Sequence, residues 1–211
     1  MTKSTYGNPD AKMVLIQLVD EHDLETMDTE LMEIRRLTDE DFYLIAMKVR
    51  DWNNDLSPWE APAVFGRENF GKGSDDTLKE VLKNCCDLSK NYIIGGYSLA
   101  GLFALWAVTK TNVFKTCAAA SPSVWFPGFV EYMNDQRIYS ERIYLSLGDK
   151  EENTRNPVMS TVGEKIRELY ELLEKKGVHT ILEWNKGNHF LESDIRMAKA
   201  FAWALNAQNG K

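Results

Sequence analysis

The chain has 211 residues, 44% of them apolar, which is enough for one sizeable core and little for two domains. Its net charge of −7, with no basic run longer than Arg35-Arg36 or Lys175-Lys176, argues against nucleic acid or an anionic membrane as partner. No window approaches a membrane-spanning length, the first ten residues hold no apolar signal segment, and the three cysteines form neither a disulfide framework nor a metal-ligand pattern, so a single cytoplasmic domain over 1–211 is expected, with those cysteines buried as small apolar residues.

The elements alternate. Met13–Val19 is an unbroken apolar strand, Leu31–Leu37 a short helix with acidic flanks, and Phe42–Val49 a second apolar strand. Asp51–Gly73 is rich in Trp, Pro, Asn and Gly and reads as irregular. Thr77–Leu88 is helical, with Asp75-Asp76 placed to complement the helix dipole. The Tyr92–Gly95 strand and the Leu99–Thr109 helix follow, then a small-residue strand at Thr116–Ala120, a short helix at Phe129–Asn134 and a strand at Arg142–Leu147. Val162–Lys176 is an amphipathic helix closed by Gly177, His179–Trp184 is the last strand, and Ser193–Leu205 is the closing helix. About six strands with helices between most of them predict a doubly wound α/β domain with a mainly parallel sheet. Ligands bind such sheets beyond the carboxyl ends of the strands, so Asp20, Asp51, Ser98, Ser121, Asp149 and Gly187 should converge on one rim.

At one of those ends the chain reads Gly95-Gly96-Tyr97-Ser98-Leu99-Ala100-Gly101, between an apolar strand and an apolar helix. A strand, a tight glycine turn carrying a serine, and a helix form the context of a nucleophile elbow. The turn must be sharp to lift the Ser98 hydroxyl clear of the backbone, and side chains two before and two or three after it would collide. That accounts for Gly96, Ala100 and Gly101.

A serine hydroxyl needs a base, and the base an orienting acid, here in the chain order Ser, Asp or Glu, His. Of the three histidines, His22 precedes the serine and His179 falls inside a strand. His189 lies in Lys186-Gly187-Asn188-His189, just past the last strand, and is the expected base. The acid should follow the Arg142–Leu147 strand, where Asp149, Glu151 and Glu152 crowd one loop. Glu151 is placed first, with a turn-capping Asp149 and a solvated Glu152 as alternatives.

With elbow, acid loop and histidine in this order, the chain resembles the enterochelin-esterase-like and esterase-D-like branch of the α/β-hydrolase superfamily. The segments that carry the resemblance are Asp55-Leu56-Ser57-Pro58-Trp59, the elbow, Ser121-Pro122-Ser123-Val124-Trp125, Gly148-Asp149-Lys150-Glu151 and Gly187-Asn188-His189. It implies a three-layer α/β-hydrolase fold and hydrolysis of a small-molecule carboxylic ester through an acyl-enzyme, with Ser98 as nucleophile, His189 as base and Glu151 as acid. The chain departs from that branch in two places. Twelve residues before Met13 leave little room for the extra leading strands such proteins have, so the sheet is expected to be shortened at its N-terminal side. Where members often carry an arginine before Asp-Leu-Ser-Pro, this chain has Asn53-Asn54, so the substrate class does not transfer.

The oxyanion should be held by the Leu99 N–H and by one from the loop after Met13–Val19, at Asp20 or Glu21. Trp52, Trp59, Tyr97, Trp125 and Phe126 are the candidate substrate-binding wall, against the alternative that they close the core under a long loop. No metal or other cofactor is expected. Acyl transfer by the same residues, or a non-catalytic binding module on the same fold, are the competing readings. The sheet should place Met13–Val19 beside Tyr92–Gly95 with Phe42–Val49 outside it, an apolar edge, unless the N-terminal residues cover it, that leaves room for a homodimer.

Overall fold

A computed structural model describes residues 1–206. The strands are β1 (Thr2–Gly7), β2 (Met13–Val19), β3 (Phe42–Lys48), β4 (Asn91–Tyr97), β5 (Phe114–Ala120), β6 (Arg142–Gly148) and β7 (His179–Asn185). They form one sheet in the order β1-β3-β2-β4-β5-β6-β7, with β1 antiparallel to β3 and every other pair parallel. Alternation along the strands splits the core in two. Val14, Ile16 and Leu18 face a layer built from α4 (Ser74–Leu82), α5 (Leu99–Ala107), α6 (Phe129–Asp135) and α7 (Val162–Lys175). Met13, Leu15 and Val19 face the opposite layer, α2 (Met27–Leu37) and α8 (Ser193–Asn206). Two short helices, α1 (Glu21–Glu25) and α3 (Trp52–Asp55), follow β2 and β3 at the carboxyl rim. No helix among the described residues is long and apolar enough to cross a membrane.

The order β3-β2-β4 is the expected one, but β3 is not an edge. β1 pairs along its whole length, Thr2 opposite Lys48 through Gly7 opposite Tyr43. This raises the count from about six strands to seven, with one leading antiparallel strand rather than a pair, and it removes the apolar edge that motivated a homodimer. The strand escapes notice because Thr2-Lys3-Ser4-Thr5-Tyr6-Gly7 carries no apolar alternation. An edge strand with few buried side chains needs none, and its polarity protects the sheet from further pairing.

The Thr77–Leu88 helix ends early, at Leu82. Asn84 and Cys85 make tight three-residue turn bonds to Val81 and Leu82, and Asp87 then caps a turn through the Ser89 N–H. Cys85 and Cys117 are buried as expected, whereas Cys86 is exposed by this early turn. Within the irregular stretch, Ala61 and Phe70 form a single antiparallel bridge.

One polar pair interrupts the α2–α8 layer. Gln17 of β2 donates from Nε2 to Glu30 Oε2 of α2 at 3.2 Å, with both side chains buried. Burial pushes the Glu30 carboxyl up from 4.5 to about 8. A carboxyl raised on folding contributes stability that is fully present below pH 4.5 and is lost as pH rises through about 8. Glu30→Gln should therefore change the melting temperature little at pH 5 and raise it, relative to the parent, at pH 9; a difference that does not grow with pH would contradict this. A chain beginning at residue 8 should expose β3, melt lower than the full chain and form concentration-dependent larger species by light scattering.

Candidate active site

The turn from β4 into α5 carries Ser98 at positive φ. Ser98 has φ 56° and ψ −121°, a conformation that costs a non-glycine residue about 1–3 kcal/mol. Neighbours hold it there. Its N–H donates to Ala120 O at 3.2 Å, and its carbonyl accepts from Leu102 N–H at 3.1 Å and Ser123 N–H at 3.0 Å. A Cβ on Gly96 would lie 2.6 Å from the Ala100 Cβ, so the turn requires glycine there. Ser98 Oγ then stands at the rim, 3.0 Å from His189 Nε2 and 3.3 Å from Ser123 Oγ.

His189 hangs on the loop after β7. Its Nδ1 is 2.7 Å from Glu151 Oε2, and its backbone carbonyl accepts from the Tyr97 hydroxyl at 2.7 Å. The Tyr97 ring also lies against the imidazole, with centroids 5.2 Å apart. Burial pushes the Tyr97 phenol up to about 12, so the hydroxyl keeps its proton to donate.

Glu151 is buried at the end of β6. Its Oε1 accepts from Gly148 N–H at 2.7 Å, Ser121 Oγ at 2.8 Å and Arg196 Nη1 at 2.9 Å, leaving Oε2 for the imidazole. An acceptor at Oε2 fixes the imidazole proton on Nδ1, so Nε2 is the acceptor for Ser98 Oγ–H. Gly148 makes the turn possible, because a Cβ there would sit 2.9 Å from Glu151 Oε1 and 3.0 Å from Arg196 Nη1.

Two clefts meet at His189 and Phe190. One, about 190 Å³, is lined by Asp20, His22, Asp23, Trp52, Tyr97, Ser98 and Ser193 as well. The other, about 150 Å³, runs along Ser121, Pro122, Trp125, Lys150, Met159 and Val162.

No protein-family model matches the chain, and no curated protein matches it at a significant level. Solved structures do. An IroE-like serine hydrolase from Shewanella oneidensis superposes with a TM-score of 0.78 at 13% identity, covering 97% of this chain and 75% of that one. The siderophore hydrolase EstA from Aspergillus nidulans gives 0.71 at 17% identity, covering 95% and 85%. The enterobactin esterase FES from Shigella flexneri gives 0.69 at 14% identity, covering 99% and 56%. The chain has the α/β-hydrolase fold.

Within this α/β-hydrolase fold, Ser98, His189 and Glu151 come together. The alternatives to Glu151 lie elsewhere. Asp149 Oδ1 accepts from Gly187 N–H at 2.8 Å and ties the two loops, while Glu152 pairs with Arg167 at 3.4 Å on the surface. His179 is exposed on β7 and stacks on Trp203, their rings 5.9 Å apart. Leu99 begins α5, so its N–H has no intrahelical acceptor. The same is true of Glu21 at the start of α1, whose side chain pairs with Lys48. Asp20 lines the cleft, but its N–H donates to Asp23 Oδ2 at 3.0 Å while its own Oδ1 accepts from Asp23 N–H, a capping box that occupies the donor expected for the oxyanion. Asp51 lines neither cleft and caps α3, its side chain accepting from Asn54 N–H.

The aromatic wall divides. Trp52, Tyr97 and Trp125 line the clefts. Trp59 and Phe126 line neither: Phe126 is 1% exposed, and Trp59 packs on Phe126, Phe129 and Tyr132 while its Nε1 donates to Pro127 O at 3.0 Å. These two close the core, because the Asp55–Trp59 segment is stapled down. Asp55 Oδ2 accepts from Arg50 N–H and Asp51 N–H, and Ser57 Oγ donates to Asn53 O.

Three further residues complete the site, of which only Arg196 has no sequence signal of its own. Ser123 sits beside the Ser98 hydroxyl. Ser121, at φ 42°, turns its Oγ onto Glu151. Arg196, 2% exposed, lies under the whole loop system, although the Ser-Pro-Ser segment pointed to the two serines.

Proposed function

We propose that the chain is a serine hydrolase that cleaves small neutral carboxylic esters through an acyl-enzyme on Ser98. One observation carries the reading: Ser98 Oγ stands 3.0 Å from His189 Nε2 while Nδ1 of the same ring is 2.7 Å from Glu151 Oε2. This is hydrogen-bond reach at both steps of a nucleophile–base–acid relay, on a serine held in a strained turn.

In the first half-reaction Ser98 Oγ attacks the ester carbonyl and His189 Nε2 takes its proton. Glu151 holds the ring in the required tautomer and stabilises the imidazolium. The tetrahedral oxyanion takes the Leu99 N–H at the positive end of α5 and the Glu21 N–H at the start of α1, since Asp20 has already used its own. Each donor is worth about 3 kcal/mol at the transition state. As the oxyanion collapses, the carbon–oxygen bond to the leaving group breaks and His189 returns its proton to the departing alcohol. Water then attacks the acyl-enzyme, His189 accepts a proton from it, and the acid leaves as Ser98 recovers its hydrogen.

The clefts, of about 150 and 190 Å³, suit small acyl and alcohol groups. Asp20 and Asp23 line the one that holds Ser98, and Lys150 is the one lysine or arginine among the described residues that line the two clefts. That lining supports neutral esters better than anionic ones. The siderophore esters named for the similar structures are therefore not carried over.

Ser98→Ala should abolish turnover of p-nitrophenyl acetate with the circular dichroism spectrum unchanged. Glu151→Gln should lower kcat by about 10⁴ at pH 7, while Asp149→Asn and Glu152→Gln stay within about tenfold of the parent. Full activity in a folded Ser98→Ala protein would contradict the reading. Collapse of Asp149→Asn or Glu152→Gln with Glu151→Gln intact would move the acid.

A further inference from the structure

We infer that Arg196 is a positioning residue for the Glu151–His189 pair: its guanidinium holds the carboxylate oxygen turned away from the imidazole, so fixing the carboxylate plane, and pins the loop that carries the imidazole. Its role in turnover rests on the hydrolase reading above, whereas its hold on the pair does not.

The guanidinium divides its donors between the two sides of the site. Nη1 reaches Glu151 Oε1 at 2.9 Å, the Tyr97 hydroxyl at 3.2 Å and Ser121 Oγ at 3.3 Å. Nη2 reaches Lys186 O at 3.1 Å and Asn188 O at 2.9 Å. The first set belongs to the carboxyl ends of β4 and β5 and to the acid loop. The second belongs to the residues immediately before His189. One planar cation therefore sets the distance between the acid and the base, and it does so from α8, a helix that packs on β4, β5 and β6.

Two features distinguish this from an ordinary stabilising ion pair. The Arg196 and Glu151 side chains are 2% and 3% exposed, so water does not replace either partner. The contacts also sort by atom. Arg196 joins Gly148 N–H and Ser121 Oγ on Oε1 and touches nothing on Oε2, so the carboxylate cannot rotate its free oxygen away from the imidazole without breaking three bonds. A hydrophobic residue of similar volume would fill the space but release both the carboxylate and the two carbonyls. Lysine would keep the charge but lacks the fork that serves both sides at once.

The test is proton NMR of the full chain labelled at histidine. The chain has three histidines, so a His189→Gln spectrum identifies the Nδ1–H resonance of His189. In the parent this proton is expected far downfield and protected from exchange. Arg196→Met should lose the resonance, and in p-nitrophenyl acetate turnover kcat should fall about 100-fold with KM within about twofold. Arg196→Lys should keep the resonance with faster exchange, and its kcat should fall by about tenfold. A folded Arg196→Met protein with the parent resonance and the parent kcat overturns the inference. If Arg196→Met does not fold, Arg196→Lys decides: faster exchange supports the inference, and parent-like exchange overturns it. A parent that shows the resonance but no ester turnover defeats the hydrolase reading alone, and the exchange measurements still judge Arg196.

Discussion

The buried contact between Arg196 and Glu151, 2.9 Å long, is the interaction on which the rest of the site depends. Glu151 reaches His189 because its other oxygen is fully engaged, and His189 reaches Ser98 because the carbonyls before it are held by the same guanidinium. Removing either charge from such a pair leaves its partner desolvated, which typically costs about 3–5 kcal/mol. The loops after β4, β5, β6 and β7 thus share one anchor, and that anchor stands on a helix rather than on any of the loops it holds.

The second constraint is the backbone of Ser98. A serine at φ 56° persists only where its surroundings over-determine it, and here three backbone hydrogen bonds do so. The bond from Ser123 N–H to Ser98 O is the more telling one, because it couples the elbow to the loop whose first residue, Ser121, donates to Glu151. The Ser98 turn, Glu151 and His189 are therefore tied together by structure behind the cleft. The cleft face itself is left to Trp52, Tyr97, Trp125 and Phe190.

Much of this was legible in the residues, and what was not has physical causes. The elbow could be read because a sharp turn restricts several positions at once, and Gly96, Ala100 and Gly101 are the record of that. His189 stood out as a histidine on a loop past a strand. Which carboxylate meets His189 was open because three share a loop, and only the direction of each side chain separates them: inward for Glu151, along the backbone for Asp149, outward for Glu152. β1 was missed because a polar edge strand lacks the apolar alternation that marks half-buried ones. Trp59 and Phe126 were misplaced because an aromatic residue near a rim looks the same whether it faces substrate or core. Arg196 was invisible for a related reason. A single arginine in a helix between Ile195 and Met197 reads as a solvated side chain, and only the fold turns it inward.

The central claim is that Ser98 is a nucleophile activated by His189. Labelling with a fluorophosphonate probe, followed by mass spectrometry of the modified peptide, tests it most directly. The account predicts one covalent adduct, on Ser98, that is absent from Ser98→Ala and forms far more slowly in His189→Gln. A folded parent that takes up no probe, or an adduct that persists in Ser98→Ala, would contradict it.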